Sequence, residues 1–149
     1  MDGAPDIYKV RFPLEQDEDG YPPASDELLW AQLVSDGVYR VDNIPFFVRG
    51  ISLGDEVCVE TIDGELIYRS VHREGGHRTI RLLVGDELQV PRIRDELRAL
   101  GCPSELSHIP ILVAVDVPPA VQASVIRGYL DRSMHAGVFE YEEGCVDWT

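Results

Sequence analysis

The stretch that most limits the fold is 57–72. Val57-Cys-Val-Glu-Thr-Ile62 and Glu65-Leu-Ile-Tyr-Arg-Ser-Val-His72 are two β-rich runs on either side of Asp63-Gly64. An Asp-Gly pair supplies the positive φ angles of a two-residue hairpin turn, so the two runs must pair antiparallel. Any fold for this chain therefore contains an antiparallel sheet. Gly75-Gly76 opens a second turn, and 77–84 reads as a third strand. Ile80, Leu82 and Val84 fall on one face of it, with His77, Thr79 and Arg81 on the other. The expectation is a three-strand meander.

Upstream the same alphabet recurs. Residues 7–14 alternate, with Tyr8, Val10 and Phe12 on one face and Pro13 ending the run or placing it at an edge. The runs 29–34 and 38–44 enclose Asp36-Gly37, a second hairpin turn, with Trp30 as the large anchor of its first strand. Ser25-Asp26-Glu27-Leu28, just before it, reads as a helix cap or a turn. Between the first and second strands lie Glu15, Asp17, Glu18 and Asp19, then Gly20 and two prolines. Unpaired carboxylates are too costly to bury, so this is an exposed loop. An EF-hand match fails because Tyr21-Pro22-Pro23 stands where further ligands are required. Residues 41–57 are apolar yet punctuated by Asn43, Pro45, Gly50 and Gly54. Phe46, Phe47, Val48, Ile51 and Leu53 are predicted to plug the core, and 52–57 resembles the turn leading into a strand of small β-barrels.

After Gly85 the period lengthens to that of a helix. Pro91 suits its first turn and Gly101 its end, with Ile93, Leu97 and Leu100 on one face. Residues 109–117 are nearly all apolar, as a strand buried on both faces reads. Asp116 is predicted to cap a second helix opened by Pro118 and Pro119 and ended by Gly137, with Val121, Val125, Ile126, Leu130 and Met134 on its buried side. Residues 138–143 alternate as a closing strand. The whole reads as an α+β chain. An N-terminal β-rich part (a small barrel or meander, 1–76) is continuous with a C-terminal ferredoxin-like β-α-β-α-β two-layer sandwich (77–149), within one domain spanning 1–149. Residues 1–6 read as a frayed end, and Trp148 as docking back.

Charge narrows the function. There are 27 acids against 13 bases, a net charge of −14. That argues against nucleic acid or an anionic membrane as partner and favours a protein with a basic surface. No apolar run reaches the roughly 18 residues that span a bilayer, and the acidic start does not look like a signal peptide, so a cytoplasmic location is expected. Cys58, Cys102 and Cys145 are odd in number and make no CxxC, which argues against disulfides and a zinc knuckle. Cys58 reads as a small packed hydrophobe.

Candidates for chemistry are few. His72 and His77 flank the Gly75-Gly76 turn and, with Glu74, have the donor types of a transition-metal site, though two solvent-facing residues beside a turn explain them as well. Cys58 with His72 is a conceivable nucleophile and base, but there is no GxSxG elbow and no phosphate-binding Gly loop. His135 sits where a helix C-terminus favours it. Arg40, Arg49, Arg69, Arg73, Arg78 and Arg81 belong to the strand-rich part, and read as cross-strand partners of Glu60 and Glu65 or as the lining of an anion pocket.

The segments Tyr39-Arg-Val-Asp-Asn-Ile-Pro-Phe-Phe-Val-Arg-Gly-Ile-Ser-Leu-Gly-Asp-Glu-Val57, Val10-Arg-Phe-Pro-Leu14, Gly75-Gly-His-Arg-Thr-Ile-Arg-Leu-Leu-Val84 and Phe139-Glu-Tyr-Glu-Glu-Gly144 resemble the bacterial domain-of-unknown-function 4265 family. The resemblance implies no activity. Small stand-alone acidic members have the profile of immunity proteins, by analogy. The expectation is a non-enzymatic binding protein, in its concrete form an acidic immunity protein that neutralises a bacterial toxin. Glu15, Asp17, Glu18, Asp19, Glu140, Glu142 and Glu143 would meet the partner, with no catalytic residue, cofactor or metal. The rivals are a small-ligand-binding regulatory module of ferredoxin-like type, using the arginines and Phe46–Phe47, and a small enzyme using His72, His77 or Cys58.

Overall fold

The computed structural model describes residues 7–22 and 24–145, so the readings made for 1–6 and Trp148 lie outside it. Strands β1 (Ile7–Pro13), β2 (Asp26–Ser35), β3 (Val38–Val41), β4 (Glu56–Ile62) and β5 (Glu65–Arg73) form a closed barrel in chain order. Neighbours are antiparallel, and the barrel closes through a parallel pairing of β1 with β5 at Val10↔Leu66 and Arg11↔Ile67. Asp63 and Gly64 both take positive φ, 51° and 80°, the conformation a two-residue hairpin turn demands. Alternation sends Val10, Phe12, Leu29, Ala31, Tyr39, Val41 and Val57 inward, where Phe12 stacks on Tyr68 at 4.9 Å between ring centres. Trp30 has the opposite parity and is 45% exposed, with the Lys9 ammonium 5.0 Å above its ring. It is an outer residue rather than a core anchor. Asp26, Glu27 and Leu28 extend β2 instead of forming a cap or turn.

The second sheet contains β6 (Arg78–Val84), β7 (Ser104–Leu106), β8 (Leu112–Val117) and β9 (Phe139–Cys145), in the order β7-β8-β6-β9 and antiparallel throughout. Helix α1 (Val90–Ala99) follows β6, and α2 (Ala123–His135) follows β8. Here the expectation of an α+β chain ending in a ferredoxin-like β-α-β-α-β sandwich is corrected. The described chain is mostly strand, with two short helices of 10 and 13 residues. The β-α-β-α-β order also fails, because β7 intervenes after α1 and pairs with β8. Three residues, Ser-Glu-Leu, are too short to show an alternation in sequence. The three-strand meander is corrected too: β4 and β5 stay in the barrel while β6 crosses to the other sheet.

Both helices lie on one face of this sheet. Ile93, Leu97, Ile126 and Leu130 join Ile80, Leu82, Val113 and Val115 in a dry core. Pro91 opens α1, and Gly101 at φ 91° follows its end, as expected. Helix α2 begins later than Pro118, at Ala123, and Asp116 lies inside β8 instead of capping it. Val125 and Met134 are exposed.

The barrel is seated on the other face, so β8 is buried at every position. The joint between the two is polar and tightly bonded. Ser52 Oγ and Thr79 Oγ1 lie 2.6 Å apart, both fully buried. Asp55 accepts from Ser52 N–H at 2.9 Å and Gly75 N–H at 2.8 Å. A Cβ at Gly75 would lie 2.6 Å from the Gly54 carbonyl oxygen, so glycine there is a condition of contact between the two backbones.

Candidate binding site

The crossover 42–55 carries the site, and two side chains from distant strands fix its shape. Glu27 of β2 accepts from three successive backbone N–H groups, those of Phe46, Phe47 and Val48, at 2.7–3.0 Å. Arg81 of β6 donates to the Pro45 carbonyl at 3.4 Å and to the Val48 carbonyl. The arch 45–48 is thus held by an anion on one side and a cation on the other. Arg81 is 2% exposed and 3.6 Å from Glu142 of β9. Burial lowers its pKa, opposed by Glu142 and Glu27.

Of the five residues predicted to plug the core, Val48 and Ile51 do so, while Phe46, Phe47 and Leu53 are half-buried. Phe47 meets Tyr21 of the β1–β2 loop edge to face, 6.3 Å between centres. That loop is organised internally. Asp17 accepts from the N–H groups of Asp19 and Tyr21, both at 2.9 Å, and Gln16 donates to the Pro22 carbonyl at 3.0 Å. Tyr21 reaches Glu142, and burial, then that carboxylate, raises its pKa.

Two clefts open on either side of this contact and share Tyr21, Phe47, Arg81 and Glu142. One, of about 430 Å³, lies over the uncovered part of the second sheet, with Leu83, Ile109 and Leu112 as its apolar floor and Glu140 and Glu142 at its side. The other, of about 490 Å³, runs under the β1–β2 loop, with Glu15, Asp17, Arg49 and Tyr68 added to its lining. Of the seven acids singled out in the sequence, Glu15, Asp17, Glu140 and Glu142 line these clefts, while Glu18, Asp19 and Glu143 do not. One oxygen of Asp17 is committed to the loop.

Glu27 and Tyr21 were not expected as site residues, whereas Arg81 and Phe47 were named only as the lining of the rival ligand pocket. A signal existed for Arg81. A strand apolar on both faces implies a sheet covered on both faces, so an arginine on the adjacent strand must be buried and paired.

The histidine candidates separate. His77 Nδ1 bonds Asp116 at 2.9 Å in the joint, and Asp116 is 3% exposed. His72 lies on β5 and is exposed. Among the described residues no three His, Cys, Asp or Glu side chains converge as a metal site, and no hydrogen bond links Cys58, His72 and His77. Arg69 pairs with Glu60 as expected, whereas Glu65 pairs with Arg11 of β1, an arginine outside the expected set. No helix among the described residues is long and apolar enough to cross a membrane.

Fold and clefts together define a mostly β protein in which a five-stranded barrel sits on an antiparallel sheet, with a divided, acid-rimmed groove at their junction. The chain belongs to the family described as "Domain of unknown function (DUF4265)", whose model matches residues 27–141. It is similar in fold to a crystal structure of a hypothetical protein from Neisseria gonorrhoeae, with a TM-score of 0.78 and 21% identity over 98% of each chain. No curated protein matches.

Proposed function

We propose that this protein acts by binding a basic segment of a protein partner in the groove at the barrel–sheet junction, and that its concrete form is an immunity protein that neutralises a bacterial toxin. The observation that carries the reading is the meeting of two acidic segments. Glu15 and Asp17, near the N-terminus, and Glu142, near the C-terminus, line one cleft. Glu140 and Glu142 rim the neighbouring one, whose floor is apolar. Four carboxylates against Arg49 and Arg81 leave the groove anionic. A lysine or arginine fits such a groove, with its stem on the apolar floor and its charge at the rim. Charge complementarity of this kind sets association rate and specificity.

The test is co-production with the polypeptide encoded next to this one, followed by association kinetics. The expected result is a stable complex whose association slows by about tenfold or more at low salt in Glu15→Lys/Glu140→Lys. Both residues are exposed, so the fold should survive. No complex, or an unchanged association rate, overturns the reading.

A small-ligand reading has its own support, since Arg49, Arg81, Phe47, Tyr21 and Tyr68 line one cleft of drug-sized volume. Thermal shift against a metabolite panel discriminates it: stabilisation by an anionic aromatic compound, lost in Arg49→Ala, favours this rival.

A further inference from the structure

Two cross-strand rows lie side by side on the face of the second sheet that carries the barrel. In the inner row Ala114, Arg81 and Glu142 stand abreast on β8, β6 and β9, and in the outer row Leu112, Leu83 and Glu140 do. Strand β9 thus offers a carboxylate in each row, whereas β6 offers a cation only in the inner one. Glu142 has Arg81 at 3.6 Å and is reached by Tyr21. Glu140 is exposed and, among the described residues, has no hydrogen bond or ion pair. Arg81 already faces two carboxylates, Glu142 and Glu27, so the charge of Glu140 is left over.

The outer row borders the 430 Å³ cleft, where Leu83 and Leu112 form the floor and Phe47 and Tyr21 an aromatic wall. Leu83 is 48% exposed. These surroundings choose between the two kinds of basic side chain. An ammonium is a compact, strongly hydrated charge, and leucines and aromatic rings cannot replace its water. A guanidinium is planar and more weakly hydrated. It can lay its face on a ring while its N–H edge donates to a carboxylate. We infer that this cleft is a guanidinium pocket: an arginine side chain of the partner lies over Leu83 against the aromatic wall and donates to Glu140. It supplies to the outer row the cation that Arg81 supplies to the inner one. This inference rests on the proposed binding function and specifies it, with arginine preferred over lysine.

The experiment uses the full chain and three capped pentapeptides, Gly-Ser-Xaa-Ser-Gly, in which the central residue is arginine, lysine or citrulline. Citrulline keeps the shape of arginine and lacks its charge. Binding is read from the methyl resonances of Leu83, Ile109 and Leu112. The arginine peptide is expected to shift them with a Kd of about 1 mM or tighter. Lysine is expected to bind about fivefold or more weakly, and citrulline weaker still. Glu140→Gln, an exposed position, is expected to weaken the arginine peptide by about tenfold. Equal affinity for arginine and lysine overturns the inference, and so does citrulline binding as tightly as arginine. Unmoved methyls with the arginine peptide at about 10 mM, or an unchanged affinity in Glu140→Gln, overturn it equally. If a genuine partner binds while the arginine peptide leaves these methyls unmoved, the guanidinium pocket fails and the binding function stands. If charge reversal leaves partner association unchanged while the arginine peptide still shifts the methyls, the pocket stands and the acidic-groove reading fails.

Discussion

Glu27 and Arg81 grip opposite sides of the same four residues. The carboxylate of Glu27 takes the N–H groups of Phe46, Phe47 and Val48, and the guanidinium of Arg81 takes the carbonyls of Pro45 and Val48. A segment with no regular structure thereby has its main-chain groups bonded, which its partial burial requires. The pair also ties barrel to sheet, since Glu27 lies in β2 and Arg81 in β6.

Removing Glu27 should therefore cost more than an ordinary surface change. Glu27→Ala leaves three partly buried donors without a charged acceptor, and about 3 kcal/mol of stability should be lost. Glu27→Gln keeps one oxygen for Phe47 and Val48 but turns an NH₂ towards Phe46, so its cost should be about half as large. Urea denaturation measures both. A loss in Glu27→Ala below about 1 kcal/mol would show that water replaces the carboxylate.

The two grips should also be coupled. Arg81→Met strands two carbonyls and should cost about 2–4 kcal/mol. Once the arch is loosened from one side, the other grip has less to hold. A double-mutant cycle with Glu27→Gln should give a coupling of about 1 kcal/mol, the double variant being less destabilised than the sum. Additivity within about 0.3 kcal/mol would mean that each residue acts separately.

What was legible in the sequence follows physical range. Asp63-Gly64, Pro91 and Gly101 act on their immediate neighbours, and each does in the fold what its chemistry dictates. The alternation of Ile80, Leu82 and Val84 likewise identified a core face. Failures came where partners are remote. Trp30 looked like an anchor because size suggests burial, but parity along β2 decides burial, and Leu29 and Ala31 hold the inward positions. Phe46 and Phe47 looked like core because they are apolar, whereas the arch that Glu27 and Arg81 hold leaves their side chains half-buried. Strand β7 was too short to announce itself. The acids were conspicuous in sequence, but which of them share a groove depends on β9 lying beside the β1–β2 loop, a relation no local pattern encodes.

The backbone contact at the joint gives a steric prediction. A methyl at Gly75 would sit 2.6 Å from the Gly54 oxygen and 2.8 Å from its carbonyl carbon. Both are main-chain atoms that cannot rotate away. Gly75→Ala should destabilise by about 1–3 kcal/mol although its φ is not one that demands glycine. Gly37→Ala is the contrasting case. No atom lies within 4 Å, so its cost should come from its φ of 73° alone, about 1 kcal/mol. Equal thermal stability of wild type and Gly75→Ala would show that the joint can open without cost.

Cys102 should be chemically silent. It is fully buried in the second core, and burial, reinforced by Asp116, pushes its thiol up to about 11. The thiolate is the nucleophile, so at mildly alkaline pH little of it exists and access is closed as well. Alkylation followed by peptide mapping should leave Cys102 unlabelled in the native protein and label it on unfolding in urea. Cys58, half-buried on β4, should label first of the two. Native labelling of Cys102 at the rate of Cys58 would mean that α1 and the sheet separate readily.

Asp116 should give the protein an inverted pH response in the acid range. The side chain is 4% exposed, and burial raises its pKa above the ordinary 3.8, an effect that the bond from His77 opposes without reversing. Between the ordinary and the raised value the folded protein retains a proton that the unfolded chain has released. The folded state then binds more protons, so this group's contribution to stability falls as pH rises through that window. Most carboxylates that gain a partner behave the other way. Asp116→Asn removes the titration and keeps a side chain that can hydrogen-bond His77 Nδ1. The stability of wild type minus that of Asp116→Asn, from urea denaturation between about pH 4 and about pH 7, should therefore decrease with rising pH and then level off. A difference that stays constant, or that grows with pH, would show that His77 stabilises the ionised carboxylate enough to outweigh its burial.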